Sequence, residues 1–205
     1  MWRQHLWTRV GWFIALILLL CPAMNAWGQQ ADHPLPLPKS EVAVTYRIDN
    51  GPADAPRKLQ ITYSDAGERV RLDYFRWAEA KVPYLTRIFD RPGNRLITIY
   101  PERKAYIDGA IANAGNPGTF FRENSIFRRL GNSVIANAQC TEWGVEVPGK
   151  GGPGDTACVT DDGIALRIAS PNPAFVSLTA IMIHYGSPPP SFFDPPPGFR
   201  RETTP

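Results

Sequence analysis

Cysteine and histidine are both scarce in this chain, with three of each among 205 residues. A tetrahedral zinc site takes four ligands, and neither Cys140 nor Cys158 has a close Cys or His neighbour. That pattern excludes a structural metal centre. No C-x-x-C pair is present to supply an activated thiol for redox catalysis. Asp161 and Asp162 lack further acids at the spacing of a calcium loop and read as turn residues. No cofactor or metal is implied. A nucleophile elbow of the G-x-S-x-G type is also missing. His33 lies in a proline-rich stretch and His184 ends an apolar strand, so no nucleophile, base and orienting group can be assembled by motif. Asp73, Asp90 and Glu142 sit on strand faces where carboxylates are normally solvated. The chain reads as a non-enzyme, with an unrecognised hydrolase as the third-ranked alternative.

One near-motif needs separate treatment. Gly144 to Lys150, "GVEVPGK", matches the first part of a phosphate loop, but Gly151 stands where Ser or Thr must hold magnesium. No helix pattern follows to aim amides and a helix dipole at phosphate. Trp143, Val145 and Val147 instead alternate through the supposed loop as a strand would.

Long apolar runs are limited too. The one at the N-terminus, Gly11 to Leu20, is shorter than the roughly 20 residues that span a bilayer. Arg3 and Arg9 precede it, and Ala26-Trp27-Gly28 offers a small-residue cleavage site. Residues 1–28 therefore read as a signal peptide cut before Gln29, with an uncleaved anchor as the alternative. Leu20 before Cys21 disfavours lipidation of that cysteine. Charge of one sign is lacking as well. The formal net charge of +3 falls to +1 once the leader's two arginines are removed, which gives no electrostatic case for nucleic acid or anionic membrane. The expected location is the periplasm or the exterior, with no stable transmembrane anchor after cleavage. In an oxidising compartment, Cys140 and Cys158 are expected as a disulfide. With a hairpin tip at Pro148 to Pro153, an antiparallel register can set them opposite each other. The closed loop would contribute about 3 kcal/mol by restricting the unfolded chain.

What the sequence does have is period-two alternation. "EVAVTYRID" places Val42, Val44, Tyr46 and Ile48 on one face; "KLQITYS" does so with Leu59, Ile61 and Tyr63; "ERVRLDY" does so with Val70, Leu72 and Tyr74. "YLTRIFD" and "RLITIYP" flank Arg91-Pro92-Gly93-Asn94, which predicts a type II turn with Gly93 at positive φ. "KAYIDG", "CTEWGVEV", "DTACVTD", "IALRIAS" and the doubly apolar "AFVSLTAIMIHYG" follow, making about ten strands at barrel or sandwich spacing. Asp162-Gly163 marks a tight turn. One helix is predicted over Asn116 to Gly131. Asn116 is its N-cap, Pro117 its first residue, and Arg128 and Arg129 fall in its last turn. Phe120, Ile126, Phe127 and Leu130 share one arc of it, and Glu123 falls inside that arc near the N-terminus.

The order "VTYRID … ITYSDAGERVRLDY … IFDRPGNRLITIYPERKAY", then a helix and further strands, resembles the LolA/LolB-like periplasmic superfamily across Glu41 to Phe199. The resemblance implies an open antiparallel half-barrel (mainly β, α+β class) with one or more covering helices and an apolar cavity that in relatives receives acyl chains. On that basis the chain divides into a leader (1–28), a proline-rich entry segment (29–40), the half-barrel domain (41–199) and a mobile tail (200–205). Phe192 to Phe199 is expected to pack along the domain's own sheet. Phe120, Phe127, Leu130, Trp77 and Trp143 are the candidate lining of a ligand cavity, core filling being the alternative use of the same side chains. The expected function is non-catalytic binding of a lipid or other apolar ligand. The alternative is an envelope module that binds a protein and has no open cavity.

Overall fold

The computed structural model describes residues 33–50, 53–111, 120–122, 124–149, 154–172 and 176–203. The leader and its cleavage site lie outside them. Alternating apolar residues become strands wherever the alternation was clearest: β1 (Val42–Ile48), β2 (Lys58–Ser64), β3 (Arg69–Phe75), β4 (Leu85–Asp90), β5 (Arg95–Tyr100) and β6 (Ala105–Ala110). The second half adds β7 (Ile126–Ile135), β8 (Ala138–Glu146), β9 (Asp155–Val159), β10 (Ala165–Ala169), β11 (Leu178–Tyr185) and β12 (Arg200–Glu202). All belong to one sheet, in the order β12-β6-β5-β4-β3-β2-β1-β11-β10-β9-β8-β7. Every pairing is antiparallel except β12 on β6.

The register lines up the predicted inward residues. Val42, Val44 and Tyr46 oppose Tyr63, Ile61 and Leu59, which in turn oppose Val70, Leu72 and Tyr74. All of these but Tyr74, which packs at the margin, are buried in the principal core. Burying such a side chain contributes about 1.5–3 kcal/mol, so this ladder is the main source of cohesion.

The predicted helix is not found among the described residues. Among the described residues there are only short 3-10 turns, and the second half of the expected helix is strand β7. Its start at Asn116 and Pro117, and Glu123, lie outside the described residues. The physical reason is non-local. Ala136 and Asn137, both with left-handed backbone (φ 50° and 63°), fold the chain back so that Ile126 to Ile135 pairs along β8. Ladder bonds over ten residues outweigh a local apolar arc whose β-branched Ile126 and aromatic Phe127 favour a pleated backbone. The core is instead covered by Leu37 of the entry segment, Phe120, and Ile135, Ala136 and Ala138 at the end of the β7–β8 hairpin.

The entry segment is held by close approach. A side chain at Gly163 (φ +92°) would sit 2.5 Å from the Leu37 carbonyl, and the Lys39 amide donates to the Asp162 carbonyl at 2.9 Å. Only glycine fits that turn.

Two turn details differ from expectation. In the β4–β5 turn the left-handed residue is Asn94 (φ 49°), not Gly93, so the turn is not type II. A side chain at Gly93 would come within 2.7 Å of the Asp90 carboxylate, which would have to move aside. The Cys140–Cys158 disulfide does form, with Cα atoms 5.4 Å apart. The pair is diagonal, however, since Glu142 is the residue opposite Cys158.

The tail also departs from expectation. Phe193 is buried against Ile88, Ile97 and Ile99, with Phe192 and Phe199 beside it, as a packed segment should be. Arg200 to Glu202, expected to be mobile, pair with Ala105 to Ile107. Glu202 accepts from Arg103 at 2.5 Å and Arg200 at 2.8 Å, so this charged strand caps the β6 edge.

Candidate functional site

Of the five aromatic and aliphatic candidates, the structure gathers three. Trp143 on β8 is buried with Val145, Ala157, Val159 and Ala165, and Phe121 and Phe127 pack against this group. Phe127 meets Trp143 edge-on with centroids 6.3 Å apart, and Phe121 meets Phe127 at 5.2 Å, both near perpendicular. Edge-to-face rings of this kind add about 0.5–1.5 kcal/mol beyond burial. Phe120 touches both this cluster and the principal core, its ring 6.2 Å from that of Tyr46. Tyr46 is wholly buried and its hydroxyl donates to the Ala165 carbonyl at 2.8 Å. Burial pushes that phenol well above its usual pKa. Trp77 and Leu130 lie apart, 66% and 46% exposed.

Strand β7 carries the signal that sequence reasoning missed. It is the last strand of the sheet, with β8 the one strand hydrogen-bonded to it among the described residues and β11 also nearby. Ile126, Leu130 and Val134 stand exposed along it. A bulge falls between Arg129 and Gly131, making Leu130 the extra residue. Arg128 and Leu130 lie over Gly144, each within 3.8 Å of where a β-carbon there would sit. Arg129 takes the other face, its guanidinium 5.5 Å from the Trp143 ring centroid. On β11 a second bulge leaves Ile181 unpaired opposite β1 and turns Ile181 and Met182 outward. The doubly apolar pattern of β11 is thus central in the sheet yet partly exposed.

One carboxylate near this edge is already engaged. Glu142 accepts from Ser133 at 2.6 Å and from Arg167 at 2.5 Å. The serine hydroxyl first, then the guanidinium, hold its carboxyl below the usual glutamate range. Arg122, Arg128 and Arg129, by contrast, have no carboxylate partner among the described residues.

Asp73 corrects another expectation. It is buried, not solvated, and is held by Arg71 through Nε and Nη2 and by the Thr86 hydroxyl. Arg71 also donates to the Phe192 carbonyl at 2.8 Å and lies over the Phe192 ring. The pair ties the C-terminal segment to the sheet, and its role is structural. No three His, Cys, Asp or Glu side chains gather as metal ligands among the described residues. No described helix is long and apolar enough to cross a membrane.

No family model matches the chain, and no curated protein does. Solved structures do resemble it. An uncharacterised conserved protein from Thermus thermophilus superposes with a TM-score of 0.55 at 6% identity, over 81% of this chain and 91% of that one. MucB superposes with a TM-score of 0.50 at 13% identity, over 75% of this chain and 56% of its own. A MucA/MucB complex from Pseudomonas aeruginosa gives 0.46 at 13% identity, over 76% and 56%. The chain thus spans little more than half the length of MucB. At these identities the likeness is one of fold, and it fits a LolA-like architecture.

Proposed function

We propose that this chain is an exported, non-catalytic protein-interaction module of the cell envelope. In this reading residues 1–28 are a leader cut before Gln29, and 41–199 form the binding domain. The observation that carries it is where the apolar surface lies. The inward residues Val44, Tyr46, Ile61 and Tyr63 are sealed by the chain's own Leu37, Phe120, Ile135 and Ala136. Meanwhile Ile126, Leu130 and Val134 on β7 and Ile181 and Met182 on β11 face outward. Apolar side chains left on the outside while the inward face is sealed serve contact with another protein. The LolA-like fold supports an envelope role by analogy of architecture alone.

A second reading, binding of a lipid or other apolar ligand, draws on Phe120, Phe127, Leu130, Trp77 and Trp143. It is favoured by the incomplete burial of Phe120, Phe121 and Phe127 around Trp143. Photo-crosslinking separates the two. A photoreactive residue replacing Val134 is expected to give a discrete protein adduct in the native envelope, and one replacing the exposed loop residue Val82 is not. A lipid recovered in equal molar amount from purified protein, with no adduct at 134, would overturn the interaction reading.

A further inference from the structure

We infer that the partner docks as an extended acidic segment that adds a strand to β7. The inference rests on the protein-interaction reading and specifies the partner's chemistry.

The argument starts from the backbone. A terminal strand has hydrogen-bonding groups on one side that the sheet does not use, and natural sheets blunt such edges. The other end of this sheet is blunted: β12 pairs with β6, and its charged residues have partners, Glu202 with Arg103 and Arg200, and Arg201 with Asp108. At ten residues β7 is the longest described strand, and among the described residues β8 alone is hydrogen-bonded to it, although it also approaches β11 and the His33 ring lies 6.5 Å from that of Phe127. Its protection is a bulge at Leu130 and the two arginines beside it, devices that turn away a neutral or basic strand but not one that answers those charges.

Charge then selects the occupant. Arg128 and Arg129 are adjacent, so the pleat sends them to opposite faces: Arg128 over Gly144, Arg129 beside Trp143. Arg122 precedes them. All three are exposed and none has a carboxylate partner among the described residues. Of the acids on β8, Glu142 is committed to Arg167 and Ser133, and Glu146, exposed opposite Ile126, forms no ion pair with any of the three arginines. A strand laid along β7 would present side chains to both faces and meet one arginine on each. Neighbouring acids on that strand satisfy both cations, and apolar residues around them rest on Ile126 and Leu130. Main-chain bonds supply affinity, and side chains on alternate faces supply selection.

The test uses the full mature chain and three labelled eight-residue peptides read by fluorescence anisotropy: one of Val and paired Glu, one with Lys for Glu, and one of the acidic composition with alternate prolines. The acidic peptide is expected to bind, and the Lys and proline peptides are not. Binding should weaken as salt is raised. The variant R128E/R129E, checked for folding by circular dichroism, should bind the acidic peptide about tenfold or more weaker and gain affinity for the Lys peptide. Equal binding of the acidic and proline peptides would overturn strand addition. Unchanged binding by R128E/R129E would overturn the charge assignment. If the position-134 crosslink forms and the acidic peptide does not bind, this inference fails while the interaction reading stands.

Discussion

Tyr46 shows how much one side chain can join. Its ring belongs to the principal core, its edge meets Phe120, and its hydroxyl satisfies the Ala165 carbonyl across the sheet. Tyr46→Phe leaves that carbonyl without its donor, and a loss of about 1–2 kcal/mol in urea unfolding is expected. The sign of the pH effect follows from the raised phenol pKa. The unfolded chain ionises first, so stability falls as pH rises above about 10, the ordinary tyrosine value. Tyr46→Phe should flatten that alkaline limb, and equal alkaline slopes in the two proteins would refute the assignment. Asp73 is the second case. Removing it as Asp73→Ala leaves the Arg71 guanidinium without its carboxylate in a largely buried setting. The expected cost is about 3 kcal/mol, measured by denaturant midpoint. Faster protease cutting near Phe192 should accompany it.

At the level of elements, both sheet ends invite measurement. Deleting residues 200–205 strips β12 from β6, and hydrogen exchange should accelerate at β6 amides while those of β1 and β2 keep their rates. Unchanged protection at β6 would show that β12 contributes no cover. Strands β1 to β3 were the most legible because apolar residues recur at every second position and pair in register with those of the adjacent hairpin strand. Strand β7 was not legible. Phe120, Ile126, Phe127 and Leu130 fit a helical arc as well as they fit an edge strand, since an edge strand lacks the strict alternation a half-buried one requires. The decision came from the left-handed pair Ala136-Asn137, which carries no glycine to announce it. Strand β12 was hidden for a related reason. Three charged or polar residues have no pattern of their own, and they pair because Phe193 and Phe199 bring the chain back beside β6.

For the whole molecule, export and the disulfide stand together. Intact mass of material recovered outside the cytosol is expected to begin at Gln29 with Cys140 and Cys158 joined. Replacing both by alanine should cost about 3 kcal/mol, read from chemical unfolding. The candidate site was half legible. Phe120, Phe127 and Trp143 were named from their aromatic character and do meet, because large apolar rings find the interior wherever the backbone runs. Leu130 and Trp77 were named on the same ground and lie outside the cluster; a bulge displaces the first and a loop carries the second.

Sequence alone determined the antiparallel character, the identity of the inward ladder and the partnership of the two cysteines. These follow from side-chain period and from the scarcity of alternatives for a thiol. Tertiary structure alone decided which chain segments cover the ladder, that β7 is a strand, and that its arginines reach opposite faces. Those outcomes depend on pairings between residues distant in sequence, whose energy no local pattern contains.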